Sequence, residues 1–445
     1  MIAVLAVLLF ALHVASRVLP DKSGSEPLSF PVIQRKTTKH LGKRDNTVSL
    51  TNVSTLTYLI QLQIGTPPQP VEVVLDTGSF ELWVDPTCST ASTADQKAEC
   101  ALAGTYNPEL STTYIDKNLS SKITYGKGGV DIKYASDKIL LPGTNSQPLQ
   151  NVIFGLGQSS NDLAWGISGI GHGKGFNTHY NNIIDELYLQ GITQSKVFSV
   201  SLGSQYDNRA GTVVFGGVDT RKYSGRLHKF VNLPPQLEGN KWGPWRYYIQ
   251  VDSIGLTKPG EIPYKYDGSS MVALLDTGST WTYLPQGLVD ELAKDTNASL
   301  WQDGSYQVPC EMKNDAGWVD FEFGNLTIHV PYSEFITEFE GEYCALGVLP
   351  RDGTPILGDS FLRSSYVIFD QTNQDLYLAR SAHCGTNKEI LSPEPGAASR
   401  FIGECSPADG YPTPVPTGLV VAPIALVMWI IGLIFQQVRQ EEAPG

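Results

Sequence analysis

The tetrapeptide Asp-Thr-Gly-Ser occurs twice, at 76–79 and 276–279, each time behind an apolar run that reads as a buried strand. The flanks match as well. VVLDTGSFELWV at 73–84 aligns with ALLDTGSTWTYL at 273–284, 200 residues on, and each copy is followed by an apolar element with glycine, GISGIG at 166–171 and PILGDS at 355–360. A two-part pattern present in two copies implies two similar lobes, and 445 residues give each lobe a core of its own. From Thr57 to His383 the chain is dense in runs of period two, such as YLIQLQIG, VEVVLDTG, YYIQVDSIGL and LTIHVPY, broken by turn residues among 43 Gly and 28 Pro. The expected fold class is therefore all-β. A few stretches carry a helical pattern, notably Tyr180–Gln190 and Leu288–Lys294.

The ends of the chain differ from this body. Residues 1–16, MIAVLAVLLFALHVAS, are apolar and close on small residues, as a secretory signal peptide does. Residues 17–44 hold Arg17, Lys22, Arg35, Lys36, Lys39, Lys43 and Arg44 against Asp21 and Glu26, a net charge of +5. The closing Lys43-Arg44 pair marks 17–44 as a prosegment, with Asp45 as the first mature residue. Removing +5 from the chain's −13 leaves −18 for residues 45–445, a complementarity that suits an inhibitory prosegment lying over an acidic cleft. A body this acidic is not expected to take a nucleic-acid partner. Residues 386–417 are rich in Pro and read as a linker. The 18 uncharged residues Gly418–Phe435 are just long enough to cross a bilayer core of about 30 Å, as a retained span or as part of a glycolipid-anchor signal. Sequons at Asn52, Asn118, Asn297 and Asn325 fit a secretory route, and the six cysteines read as disulfides.

The chemistry resides in the repeated tetrapeptide. Gly78 and Gly278 allow tight turns whose backbone approaches a carboxylate, so Asp76 and Asp276 can face each other across a pseudo-twofold axis. Two carboxyls that close share a proton and titrate as a pair. One then acts as base and the other as acid on a water between them, with no covalent intermediate. Thr77 and Thr277 can brace the turns across the axis, while Ser79 and Ser279 can hydrogen-bond the outer carboxylate oxygens.

With IGTPPQPVEVVLDTGS, Tyr125-Gly126-Lys127-Gly128, FGGVD at 215–219, LLDTGST and ILGDSFLRSSYVIFD, residues 57–385 resemble the pepsin-like aspartic proteases of fungi. The resemblance implies two β-barrel-like lobes around a cleft, 45–203 carrying a hairpin flap and 204–385 forming the second lobe. It implies an endopeptidase acting on polypeptides as a monomer, without cofactor or metal. Tyr125 would be the flap tyrosine and Trp83 its hydrogen-bonding partner. Cysteines would pair as neighbours, Cys88 with Cys100, Cys310 with Cys344, and Cys384 with Cys405. Val74, Tyr125, Ile167 and Leu274 would line apolar pockets. Asp359 and Ser279, an acid and a hydroxyl that acid-active relatives keep, imply an optimum of about pH 3 to 5.

Phe80-Glu81 and the flap continuation GGVDIKY depart from the usual pattern and bear on specificity. Lys127 stands at the flap tip, where many fungal relatives carry Asp, and is expected to disfavour Lys and Arg before the cut. The loop Gly171-His-Gly-Lys-Gly175 lacks the context of a phosphate cradle, and the seven His show no metal-ligand spacing. Two alternatives remain: a non-catalytic peptide-binding relative, and a membrane-tethered protease that processes secretory or cell-surface proteins.

Overall fold

The computed structural model describes residues 27–36 and 56–411, apart from 86–87, 89–92, 127, 142–147, 162, 207–209, 302–303 and 340–342. The period-two pattern does what it dictates for a half-buried sheet. In the strand Leu56–Ile64, Tyr58, Ile60, Leu62 and Ile64 are buried, and the next strand, Gln69–Asp76, pairs with it from Leu59 opposite Val74 to Ile64 opposite Gln69. Helices are few among the described residues. Ile183–Leu189 starts at a capping box in which Asn182 and Asp185 exchange side-chain and backbone hydrogen bonds. Gln286–Asp295 buries Val289, Leu292 and Ala293 at helical spacing.

A six-stranded antiparallel stretch joins the two halves of the chain. Its order is Tyr223–Val231, Asp375–Ser381, Ser365–Asp370, Val197–Gly203, Ala210–Phe215 and Leu28–Lys36. Through Leu28–Lys36 it continues into the N-terminal lobe, while the second lobe forms separate sheets of five, four and four strands. The boundary drawn between 203 and 204 therefore falls inside a hairpin of the joining sheet. The internal repeat is also a repeat of topology. Gln69–Asp76 pairs in parallel with Gly166–Gly169, which pairs antiparallel with Leu82–Val84. Met271–Leu275, Ile356–Leu357 and Thr282–Leu284 do the same in the second lobe.

The described part of the basic stretch 17–44 does not lie over a cleft. Leu28–Lys36 is a strand of the joining sheet, with Leu28 opposite Phe215 and Ile33 opposite Leu59, and its Leu28, Phe30 and Val32 are buried in the main core. Arg35 makes a forked pair with Glu72 at 2.9 and 3.2 Å. Residues 386–411 are likewise no linker. Lys388–Ile390 pairs with Gly217–Asp219, Ile402–Glu404 pairs with Tyr223–Val231, and Leu391, Ala397 and Ala398 are buried in a core cluster. The disulfides are Cys88–Cys100, Cys310–Cys344 and Cys384–Cys405, the last closing this packed segment onto the lobe. Asn118, Asn297 and Asn325 are exposed. Lys43-Arg44, Asn52 and 418–435 lie outside the described residues, among which no helix is long and apolar enough to cross a membrane.

Because Phe30 packs 5.8 Å from the Phe215 ring and is 3% exposed, Phe30→Ala is expected to cost about 3 kcal/mol of stability in the uncut chain. A denaturation midpoint unchanged from wild type would contradict the load placed on this strand.

Candidate active site

Asp76 ends the strand Gln69–Asp76, and Asp276 follows the strand Met271–Leu275. What brings the two together is a reciprocal set of hydrogen bonds between the lobes. The Thr77 N–H donates to Thr277 Oγ1 at 3.1 Å, and the Thr277 N–H donates to Thr77 Oγ1 at 3.0 Å. Each hydroxyl donates in turn to the opposite lobe, Thr77 Oγ1 to the Leu275 carbonyl at 2.9 Å and Thr277 Oγ1 to that of Leu75 at 2.6 Å. All four bonds are buried, where an unmet backbone donor costs about 1 to 3 kcal/mol. The glycines are required by proximity. A Cβ on Gly278 would meet Asp76 Oδ1 at 2.5 Å, and one on Gly78 would fall on the Asp276 carboxylate.

The two carboxylates have matching partners. The Gly78 N–H donates to Asp76 Oδ1 and the Gly278 N–H to Asp276 Oδ1, both at 2.8 Å. Ser79 Oγ donates to Asp76 Oδ2 at 2.5 Å and Ser279 Oγ to Asp276 Oδ2 at 2.8 Å. At 6% and 8% exposure the acids are nearly dry. Burial pushes the Asp76 carboxyl up to about 7, the charge of Asp276 adds to this, and Ser79 and the Gly78 amide oppose it. Asp359 lies close by, its N–H donating to the Ser279 carbonyl at 2.8 Å. Complete burial holds its carboxyl well above the usual range. Arg363 opposes this, and the charges of Asp276 and Asp76 add to it.

The strands Ile115–Thr124 and Gly129–Leu140 form a hairpin closed by a hydrogen bond from the Tyr125 N–H to the Gly128 carbonyl at 3.0 Å, with Gly128 at φ 76°. Trp83 Nε1 donates to the Tyr125 hydroxyl at 2.9 Å. Val74, Tyr125 and Ile167 pack with Trp83 in one apolar cluster, whereas Leu274 belongs to a second cluster with Tyr248 and Ile356. Ile167 and Leu274 are 7% and 3% exposed and offer little surface, which leaves Val74 and Tyr125 as the more open members. Lys127 lies outside the described residues. The 171–175 loop is no anion cradle, since the Lys174 N–H already donates to Asp185 Oδ2 at 2.8 Å.

Two features were not found from the sequence. Glu81 accepts hydrogen bonds from the Tyr134 and Tyr180 hydroxyls at 2.8 and 3.1 Å, from positions 53 and 99 residues away. Arg351 comes from the second lobe to the flap tip: a Cβ on Gly126 would stand 4.0 Å from its Nη1. Its Nε is buried with no hydrogen-bond partner among the described residues. Burial raises the Tyr283 hydroxyl above its ordinary range, the charge of Asp276 adds to this and Arg351 opposes it. No local pattern announces either arrangement.

Two acids held face to face between similar β lobes, beneath a hairpin, define an aspartic-type endopeptidase. Comparison with known proteins agrees. Residues 57–381 match the model of the eukaryotic aspartyl proteases, and the chain belongs to that family. It is 30% identical over 384 residues to the probable aspartic-type endopeptidase opsB of Aspergillus fumigatus, covering 82% of this chain and 76% of that protein. Yapsin-3 of Saccharomyces cerevisiae is 30% identical over 400 residues, covering 84% and 75%. Candidapepsin-2 of Candida parapsilosis is 31% identical over 404 residues, covering 85% and 90%.

The raised carboxyls tie stability to pH. Asp76 and Asp359 keep protons in the fold that the unfolded chain releases, so stability falls as pH rises, for Asp76 across the interval from 3.8 to about 7. Asp359→Asn is expected to flatten that decline in a thermal-unfolding series. A slope as steep as that of wild type would show that Asp359 is not one of the linked groups.

Proposed function

We propose that Asp76 and Asp276 hydrolyse peptide bonds in acid by sharing one proton. One carboxylate takes a proton from the attacking water while the other protonates the scissile carbonyl, and their hydrogen-bonded neighbours hold both in place. The observation that carries this reading is the reciprocal threonine bonding, which ties together the two turns that follow the acids and so supports a shared site for them. Tyr125, anchored on Trp83, closes over the substrate, and Val74 with Tyr125 favours apolar side chains at the scissile bond. The activity optimum is expected at about pH 3 to 5, where the pair holds a single proton. Residues 1–16 direct export, cleavage follows Arg44, and 418–435 tethers the enzyme at a membrane, where secretory or cell-surface polypeptides are within reach.

Asp76→Asn and Asp276→Asn should each leave less than about 1% of turnover with an unfolding transition as cooperative as that of wild type. Substantial turnover in either variant would remove the dyad assignment.

Arg351, facing the flap tip, adds a specificity element to the same cleft, and Lys127 at that tip carries the same sign. In a partly dry cleft like charge repels and opposite charge is drawn in, so peptides with Glu near the scissile bond should be cut faster than their Lys counterparts, by about tenfold. Matched peptides with Lys, Leu and Glu at each subsite in turn test this in wild type, Arg351→Gln and Lys127→Asp. A preference for Lys in wild type, or a profile unmoved by both substitutions, would refute it.

A further inference from the structure

One buried tyrosine is hydrogen-bonded to the chain beside both acids. Tyr247 is 1% exposed; its hydroxyl donates to the Ile170 carbonyl at 2.7 Å, and its own carbonyl accepts from the Leu275 N–H at 3.0 Å. Leu275 immediately precedes Asp276, and the Ile170 N–H donates to the Asp76 carbonyl at 2.8 Å. Tyr247 is thus one bond from a neighbour of each acid. Its ring is enclosed by those of Phe198, Phe369 and His172, with centroids 5.9, 4.6 and 5.1 Å away. Of these three, only His172 can change its charge.

His172 belongs to the first lobe, two residues beyond Ile170, and its ring also lies 5.1 Å from that of Phe176 and 6.3 Å from that of Trp245. Its tautomer is fixed by Gln374. Gln374 Nε2 donates to the Gln371 carbonyl at 2.8 Å, which leaves Gln374 Oε1 for His172 Nε2, 3.2 Å away, and makes that nitrogen the one that carries the proton. Nδ1 is then a bare lone pair, buried with no partner among the described residues. A second proton there would meet no acceptor. The acids on the surrounding elements are committed elsewhere: Asp185 spends Oδ1 on Lys196 Nζ at 2.5 Å and Oδ2 on the N–H groups of Lys174 and Asn182, Asp375 pairs with Lys229, and Asp370 accepts from Asn373. Arg246, between Trp245 and Tyr247, has the same sign as an imidazolium. Burial lowers the imidazole to about 4, Gln374 and Asp185 oppose this, and Lys196 adds to it. Aromatic faces attract a cation, but return less than the hydration that a buried ring gives up.

We infer that His172 is a positioning residue for the two acids: its neutral imidazole packs Tyr247 into its double contact, and its imidazolium leaves the aromatic enclosure and loosens that contact. The inference rests on reading Asp76 and Asp276 as the catalytic pair. It makes the lower pH limit of the enzyme a property of this packing as well as of the pair. Between pH 6.5 and about 4 the unfolded chain takes up a proton that the folded His172 refuses, so the stability contributed by the neutral ring is lost as pH falls through that window. This contribution is opposite in sign to that of Asp76 and Asp359.

The test compares the natural residue with His172→Phe, which keeps an aromatic ring that cannot titrate, and with His172→Gln, which can still donate to Gln374. Thermal unfolding is followed across the same window in full chains that all carry Asp276→Asn, so that neither turnover nor self-cleavage enters. The midpoint of the chain with His172 is expected to drop by a few degrees relative to both variants as pH falls from 6.5 to about 4. Parallel curves would overturn the proposal. In the same inactive chain the His172 ring resonance, assigned by its contacts with Tyr247, should take up its proton only below about pH 5. Titration near 6.5, the ordinary imidazole value, overturns the proposal even where no variant folds. In the active chains, kcat of His172→Phe should hold about one pH unit further into acid than that of wild type, with KM little changed. An acid limb unmoved by the substitution overturns the link from His172 to the acids. A wild type that cuts no peptide at any pH counts against the dyad assignment instead, and the unfolding and resonance arms then decide for His172.

Discussion

The four hydrogen bonds of Thr77 and Thr277 are the constraint from which the site follows. They satisfy two buried backbone donors with side chains of the opposite lobe, so the lobes cannot separate at this point without leaving those donors unmet in a dry interior. With the turns locked, the glycines that follow the acids must be bare, because each stands against the carboxylate of the other lobe. The enforced closeness of two acids is unfavourable when both are ionised. Burial, with the charge of the second acid added to it, raises the Asp76 carboxyl, so the pair holds a proton that an isolated aspartate would release.

The two halves are alike in topology but differ where chemistry needs them to differ. Asp76 lies opposite Gly169 in the parallel pairing of the first lobe, and Leu275 opposite Leu357 in the second, so Ile170 and Asp359 occupy equivalent places after Gly169 and Gly358. The first lobe is apolar there. The second carries an acid, buried with Arg363, which in turn bonds Glu334 through Nε at 2.9 Å. An ionisable group beneath one member of a symmetric pair makes the environments of the two acids unequal, and unequal environments are how two identical side chains take the roles of acid and base. The flap adds a second asymmetry, because Tyr125 and Trp83 belong to the first lobe alone.

Much of this was legible in the sequence because it is written locally. The DTGS pair, the GISGIG and PILGDS elements and the alternation in YLIQLQIG are short-range patterns, and the structure keeps them, while the cysteine pairing followed from the resemblance and not from the cysteines themselves. What was missed depends on partners far along the chain. The strand Leu28–Lys36 alternates visibly at Leu28, Phe30 and Val32, but it sits among basic residues that drew the eye to charge, and its partners are at 211–215 and 56–59. Residues 386–411 read as a linker because they are rich in Pro and poor in apolar runs. Single residues, Leu391, Ala397 and Ala398, are enough to seat them once the disulfide and two short pairings hold the backbone in place. Arg351 carries no pattern at all, since a lone arginine between a strand and a turn acquires meaning only when the flap is folded over it.

The distribution of charge gives these cations their weight. In a chain of net charge −13, acids outnumber bases 45 to 32, and several bases do find acids: Arg35 with Glu72, Lys196 with Asp185, Lys229 with Asp375 and Arg363 with Glu334. Arg351 has no such partner among the described residues, although acids are in excess. A guanidinium at the surface needs none, because water solvates it. Arg351, whose Nε is cut off from solvent, is placed where water serves it less well. There the counter-charge that would lower the energy of the arrangement is one that arrives with a ligand. An acidic surround keeps such a ligand from being drawn to other faces of the molecule, so the excess of acid elsewhere sharpens the selectivity of the few basic positions.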